Sequence, residues 1–112
     1  MSKIYLGNAF SLQMVSAILD SGAVITPEIS EVDSEIVSKV LHNNEFISCV
    51  GHIDTAKVMG NILGVEVRPQ RINVSLDTGD VLYVCQVVGG RLLEGVTELP
   101  KGISLKWYSV EV

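Results

Sequence analysis

The sequence predicts a single α/β domain spanning residues 1–112, built on a mixed sheet of five to six strands with about three flanking helices. Three observations lead there. Up to Gly64, short β-branched runs alternate with stretches whose apolar residues fall at helical spacing. After Gly64, apolar runs follow one another with only turn residues between them. The length, 112 residues, suits one domain, and no linker, repeat or low-complexity tract divides it. Strands joined through helices pair in parallel and strands joined by turns pair antiparallel, so the two halves together make a mixed sheet.

Residues 3–7 (KIYLG) read as a short buried strand. Ser11 is a good N-cap for a helix over 11–20, where Leu12, Val15, Ile18 and Leu19 recur at helical spacing, and Gly22 suits the stop. A strand over 23–26 follows, with Pro27 at its edge or end. Residues 30–42 place Val32, Ile36, Val37, Val40 and Leu41 on one face behind a Ser30–Asp33 capping pair, which predicts a second helix with an acidic, solvated side. Residues 45–50 read as a central strand, and Gly51–Thr55 as the turn out of it. Asp54 or Thr55 then caps a third helix that runs to about Leu63, with Val58, Met59, Ile62 and Leu63 inward, and Gly64 ends it. The runs 71–76 and 81–88 around Asp77-Thr78-Gly79-Asp80 predict an antiparallel hairpin. A short helical or turn segment over 91–95 and a last strand over 103–112 complete the chain.

Composition bounds the function. Hydrophobic residues make up 47% and charged residues 19%, enough to bury a core. No apolar run reaches the length of a membrane helix, and the first residues lack the basic head and apolar middle of a signal peptide, so a cytoplasmic protein without a membrane partner is expected. Cys49 and Cys85 sit in apolar strand-like runs and read as buried free thiols. The net charge of −5 argues against coating long nucleic acid, which basic surfaces do. Eight basic residues still suffice to line one site for a small anion.

Ligands of open sheets collect at the carboxyl ends of parallel strands. Two such ends are legible, Gly7–Ser11 and Gly51–Thr55, each leading into a helix whose N-terminal amides suit a phosphate. Neither is a phosphate-binding glycine loop of the nucleotide-triphosphate or dinucleotide type. His52 is a candidate general acid or base, since imidazole titrates near neutral pH; a histidine there equally caps the turn or packs at a strand end. His42 near a helix C-terminus reads as structural. With two histidines and no Cys or carboxylate at ligand spacing, no metal site is expected. Arg91 and Glu94, three apart, form either a surface ion pair or a phosphate-holding arginine with a carboxylate that orients a hydroxyl. Trp107, Tyr83 and Tyr108 read as core and rim, not as stacking platforms for bases.

These stretches together resemble the viral ring nucleases, type III anti-CRISPR proteins from a wider family of small proteins of archaeal viruses, phages, mobile elements and bacteria. The resemblance runs in order through KIYLGNAFSLQM (3–14), GHIDTAKVMGNILG (51–64), PQRINVSL (69–76), LYVCQVV (82–88), RLLEG (91–95) and ISLKWYSVEV (103–112). It implies degradation of cyclic tetra-adenylate, the second messenger of type III CRISPR complexes, by a homodimer that uses no metal or other cofactor. It implies His52 as the catalytic general acid, with Arg91 and Glu94 also in the active site. Asn8, Phe10 and Ser11 become ligand contacts, and Thr55, Arg71 and Gln86 match ligand-facing positions. After the histidine this chain reads Ile53-Asp54-Thr55 where relatives read Asp-Ser-Thr, and the stretch between Gln86 and Arg91 is one residue longer. The competing expectations are a binding module that holds a cyclic nucleotide or a protein without turnover, and a dimer that binds nucleic acid.

Overall fold

Strand β1 (Ile4–Gly7) is buried on both faces, Tyr5 pointing one way and Leu6 the other. That pattern belongs inside a sheet, and the computed structural model, which describes residues 2–90, 92, 95 and 98–112, has β1 between two parallel neighbours. A 3₁₀ turn (Leu12–Val15) leads into helix α1 (Ser16–Asp20). Strand β2 (Glu28–Val32), helix α2 (Ser34–Asn43), strand β3 (Ile47–Ser48), helix α3 (Ile53–Leu63), strand β4 (Val81–Val88) and strand β5 (Ser104–Glu111) follow. The five strands form one mixed sheet in the order β2-β5-β4-β1-β3. β1 runs parallel to β3 and β4, while β5 runs antiparallel to β4 and β2.

Each face of the sheet has its own core. Helices α2 and α3 cover one face, packing Val37, Leu41, Ala56, Met59 and Leu63 on Leu6, Cys85 and Trp107. On the other face no long helix packs among the described residues. Val15, Val74 and Leu76, from the 3₁₀ turn and the chain before β4, lie on Tyr5, Leu82, Val84 and Val110. Burying such side chains contributes roughly 1.5–3 kcal/mol each. Gly64 closes α3 at φ 69°, a left-handed conformation that a side chain would strain, and its N–H reaches the Gly60 carbonyl at 2.8 Å.

Several expected elements move. The second strand is not 23–26 but β2 at 28–32, and the helix begins at Ser34 with Asp33 as its N-cap residue. β2 is an edge strand with four of its five residues exposed, so its acidic side chains read equally well as a helix N-terminus. The hairpin around Asp77–Asp80 does not form, because both sides of β4 are taken by β1 and β5. Residues 71–76 cross the helix-free face instead, and their alternation buries Val74 and Leu76 without any strand ladder. The expected strand over 45–50 pairs over only two residues, extended by Cys49 N–H to the Leu6 carbonyl at 2.8 Å. Ser11 does precede the first helical turn, but its side chain makes no capping bond, and the expected helix over 11–20 divides into the 3₁₀ turn and the five residues of α1. Cys85 is buried as expected, and Cys49 only half so; both thiols are free.

Among the described residues no helix is long and apolar enough to cross a membrane.

Candidate functional site

Three parallel strands end on one side of the sheet. Leu6 pairs with Ser48 and Gly7 with Val84, so the chain leaves β1 and β3 at one level while β4 continues past them to Val88. Asn8–Ser11, Gly51–Thr55 and Gln86 therefore share this edge, as the parallel arrangement requires.

His52 is the N-cap of α3. Its Nδ1 accepts the Asp54 N–H at 3.3 Å, a place expected for Asp54 or Thr55 themselves. The ring is exposed, and Nε2 has no hydrogen-bond partner among the described residues. The capping role engages one nitrogen only and leaves Nε2 unbonded among the described residues.

Arg71 reaches the same turn. Its Nε donates to the Gly51 carbonyl at 3.1 Å, and a Cβ on Gly51 would stand only 3.0 Å from Arg71 Cγ. Glycine at 51 is what lets the arginine stem lie against the backbone just before the histidine. The chain on either side of Arg71 is held too. Gln70 donates its backbone N–H to the Val50 carbonyl and its Nε2 to the Ser48 carbonyl, both at 2.8 Å, and Ser48 Oγ donates to the Arg68 carbonyl at 2.5 Å. Further on, Ile72–Ser75 line a cavity of about 280 Å³ with Ser11, Gln13, Met14 and Ser16. One run of chain from Gln70 to Ser75 thereby joins the histidine turn to the Ser11 region.

Asp54, read from sequence as a possible cap, accepts the Gly95 N–H on its Oδ2 at 2.7 Å. Local sequence gave no signal of this, since the partner lies 41 residues away. Thr55 is half-buried in the first turn of α3. Asn8 and Ser11 are exposed, and Phe10 packs against the core of the helix-free face. Gln86 is exposed beside its cross-strand neighbour Lys106, whose Nζ lies 3.7 Å from Glu31. Arg91 and Glu94 lie outside the described residues.

The structure corrects the expectation of two helix N-termini offering free amides. The first junction opens on a 3₁₀ turn and a five-residue α1, with Met14 N–H already bonded to the Ser11 carbonyl. At the second, His52 takes the Asp54 amide and the Asp54 carboxylate puts a negative charge in the first turn. Positive potential at this edge therefore comes from side chains, Arg71 first among those described.

The cysteines are unsuited to nucleophilic work. Burial pushes the Cys85 thiol up to about 12 and raises that of Cys49, whose Sγ donates to the Leu6 carbonyl at 3.3 Å. His42 is engaged as a helix-end residue, its Nδ1 2.8 Å from the Ser38 carbonyl. Trp107 is buried and Tyr108 half-buried. Among the described residues no three His, Cys, Asp or Glu side chains converge.

Comparison with known proteins bears on this geometry. A family model described as STIV B116-like matches residues 4–106. Over 73 residues the chain is 37% identical to uncharacterized protein 26 of Sulfolobus islandicus filamentous virus (isolate Iceland/Hveragerdi), a match spanning 62% of each protein. Over 70 residues it is 34% identical to uncharacterized protein ORF117 of Acidianus two-tailed virus, spanning 61% of this chain and 59% of that one. The matched region is thus less than two thirds of the length of these relatives. The solved structure of B116 of Sulfolobus turreted icosahedral virus superposes with a TM-score of 0.77, covering 99% of this chain and 100% of that one at 23% identity. At that identity the likeness speaks for the fold alone.

Proposed function

The chain belongs to the STIV B116-like family, related to small proteins of archaeal viruses, and from that premise we propose that it is a ring nuclease that opens cyclic oligoadenylate, most favourably the tetramer, without a metal. The observation that carries this reading is the pairing at one sheet edge of an exposed His52, with Nε2 unbonded among the described residues, and Arg71, bonded to the backbone of the same turn.

The reaction needs little covalent help from the protein. The ribose 2′-oxygen attacks the adjacent phosphorus, the bond from phosphorus to the 5′-oxygen breaks, and the 5′-oxygen takes up a proton. The products are linear adenylates ending in a 2′,3′-cyclic phosphate and a free 5′-hydroxyl. Catalysis then consists of alignment, charge stabilisation and proton delivery. His52 Nε2 supplies the proton when the ring is protonated, a contribution of typically about 10²–10⁴-fold. Arg71 meets the charge of the ring phosphates, joined by Arg91. Glu94 orients the 2′-hydroxyl or takes its proton. Asn8, Phe10, Ser11, Thr55 and Gln86 contact the nucleotides. A homodimer suits the ligand, because a ring of four identical nucleotides has two-fold symmetry that an isologous interface can match. Pairing two subunits also gathers basic side chains around one small anion while the exterior stays acidic. In a host cytoplasm this activity would switch off type III CRISPR signalling.

The test is single-turnover cleavage of labelled cyclic tetra-adenylate in EDTA by wild type and His52→Ala. Wild type should yield linear products; the variant should bind the ring and cut it about 10²–10⁴-fold more slowly. A variant that cuts at the wild-type rate would remove His52 from the chemistry. An intact ring under saturating wild type, recovered whole after denaturation, would replace this reading with that of a binding module.

A further inference from the structure

Between β4 and β5, the described residues Gly95, Glu98 and Leu99 lie beside α3. Glu98 and Leu99 line a cavity with Val58, Asn61 and Ile62 of that helix. At the helix start the same stretch is held by a polar bond, the 2.7 Å contact from Gly95 N–H to Asp54 Oδ2. Gly95 sits at φ 85°, a left-handed conformation that favours glycine, so the backbone turns sharply where its N–H meets the carboxylate. Asp54 is half-buried, and its own N–H is the one that His52 Nδ1 accepts.

We infer that Asp54 is a positioning residue for ring cleavage, holding the His52 ring through its backbone N–H and the Gly95 backbone through its carboxylate. One residue thereby ties the histidine turn to the chain that directly follows Glu94 in sequence. This rests on the reading of His52 as the proton donor. The role is geometric. A carboxylate near a helix N-terminus is favoured by the helix dipole, and a charge-assisted bond to a backbone amide is short and directional. A mere helix cap would require no partner 41 residues away.

Three full-length ¹⁵N-labelled proteins decide it: wild type, Asp54→Ala and Asp54→Asn. Asparagine keeps an acceptor oxygen and loses the charge. In wild type the Gly95 amide proton should resonate downfield and exchange slowly; Asp54→Ala should abolish both features and Asp54→Asn should keep them. In single-turnover cleavage of cyclic tetra-adenylate, Asp54→Ala should slow the step about tenfold with ring affinity within about twofold of wild type. Asp54→Asn should recover most of the rate. The inference is overturned by an Asp54→Ala protein that cuts at the wild-type rate, by a Gly95 amide that this variant leaves unchanged, or by a rate loss that Asp54→Asn fails to recover. If wild type leaves the ring intact, the cleavage reading and the positioning role fall together, and the Gly95 amide still reports whether the tether exists.

Discussion

Asp80 and Asp54 each accept a backbone N–H from a distant part of the chain, Asp80 where β1 and β4 begin and Asp54 beyond the end where those strands finish. Asp80 is 1% exposed. Its two oxygens accept the Lys3 N–H at 2.8 Å and the Asp77 N–H at 2.9 Å. Backbone bonds close around it, from Val81 N–H to the Lys3 carbonyl, Gly79 N–H to the Val112 carbonyl and Val112 N–H to the Asp80 carbonyl. Lys3 and Val112 are both stitched to the start of β4. Asp54 makes the same type of bond in a half-solvated setting, beside an exposed His52 and an exposed Arg71. The bond type is shared; burial separates the outcomes. In the low-dielectric end a carboxylate left without donors, or donors left without a carboxylate, is costly, so Asp80 belongs to the fold. At the wet end solvent competes for the same groups, so the bond contributes less to stability than its buried counterpart. The buried carboxylate bonds gather at one end of the sheet and the proposed site at the other, an arrangement in keeping with sites drawn from the less stable parts of a fold.

Asp80→Ala puts the contrast at greatest risk. It strands two part-buried N–H groups and should cost about 3 kcal/mol, a fall in melting temperature of roughly 15 °C. Asp80→Asn should lose distinctly less. Urea melts of Asp80→Ala and Asp54→Ala side by side would undo the comparison if the two cost the same. Next in size is Arg71→Ala, which should weaken binding of cyclic tetra-adenylate by about tenfold, as loss of one charged contact does, and leave the urea midpoint near wild type. Calorimetric titration checks it, and unchanged affinity would take Arg71 out of the site. An effect of comparable size concerns the middle of β4. The Cys85 thiol stays neutral in the fold up to about 12, while in the unfolded chain it ionises around 9.0. The unfolded state alone then gains from ionisation, so stability should be flat below pH 9 and fall above it, by about 1.4 kcal/mol at pH 10. Burial of Cys49, and burial of Tyr83 with Glu111 beside it, shift those groups the same way and deepen the fall. Urea midpoints from pH 8 to 10, with Cys85→Ala showing a shallower slope, would verify the assignment.

How far the sequence could be read differs from region to region. β1, α3, β4 and β5 stand within a few residues of their expected spans, because each combines a periodic apolar pattern with a clear stop such as Gly64. The segment 71–76 has a strand's alternation and no strand's partners, since the positions beside β4 are filled by elements from elsewhere in the chain. β2 was hidden by its own edge position, where acids and serines face water on a strand as they do on a helix. At the candidate site, Gly51 and His52 announce a turn after a strand, whereas Arg71, read as the start of a strand and matched to a ligand-facing position only through the resemblance, takes its place from its bond to Gly51. Asp54 looked locally satisfied as a helix-start acid, which concealed its contact with Gly95.

The sequence by itself determined the α/β class, the mixed character of the sheet and a helix that follows the Gly51–Thr55 turn and ends at Gly64. These follow from periodicity and caps, which act over a few residues and need no knowledge of the rest of the chain. Only the tertiary structure decided that β4 pairs in parallel with β1, that Arg71 meets the histidine turn, that Asp80 closes one end and that Asp54 reaches Gly95. Those are contacts between residues tens of positions apart. Their partners are selected by which sheet edges and buried donors remain unoccupied once the core has packed, and no local pattern encodes that.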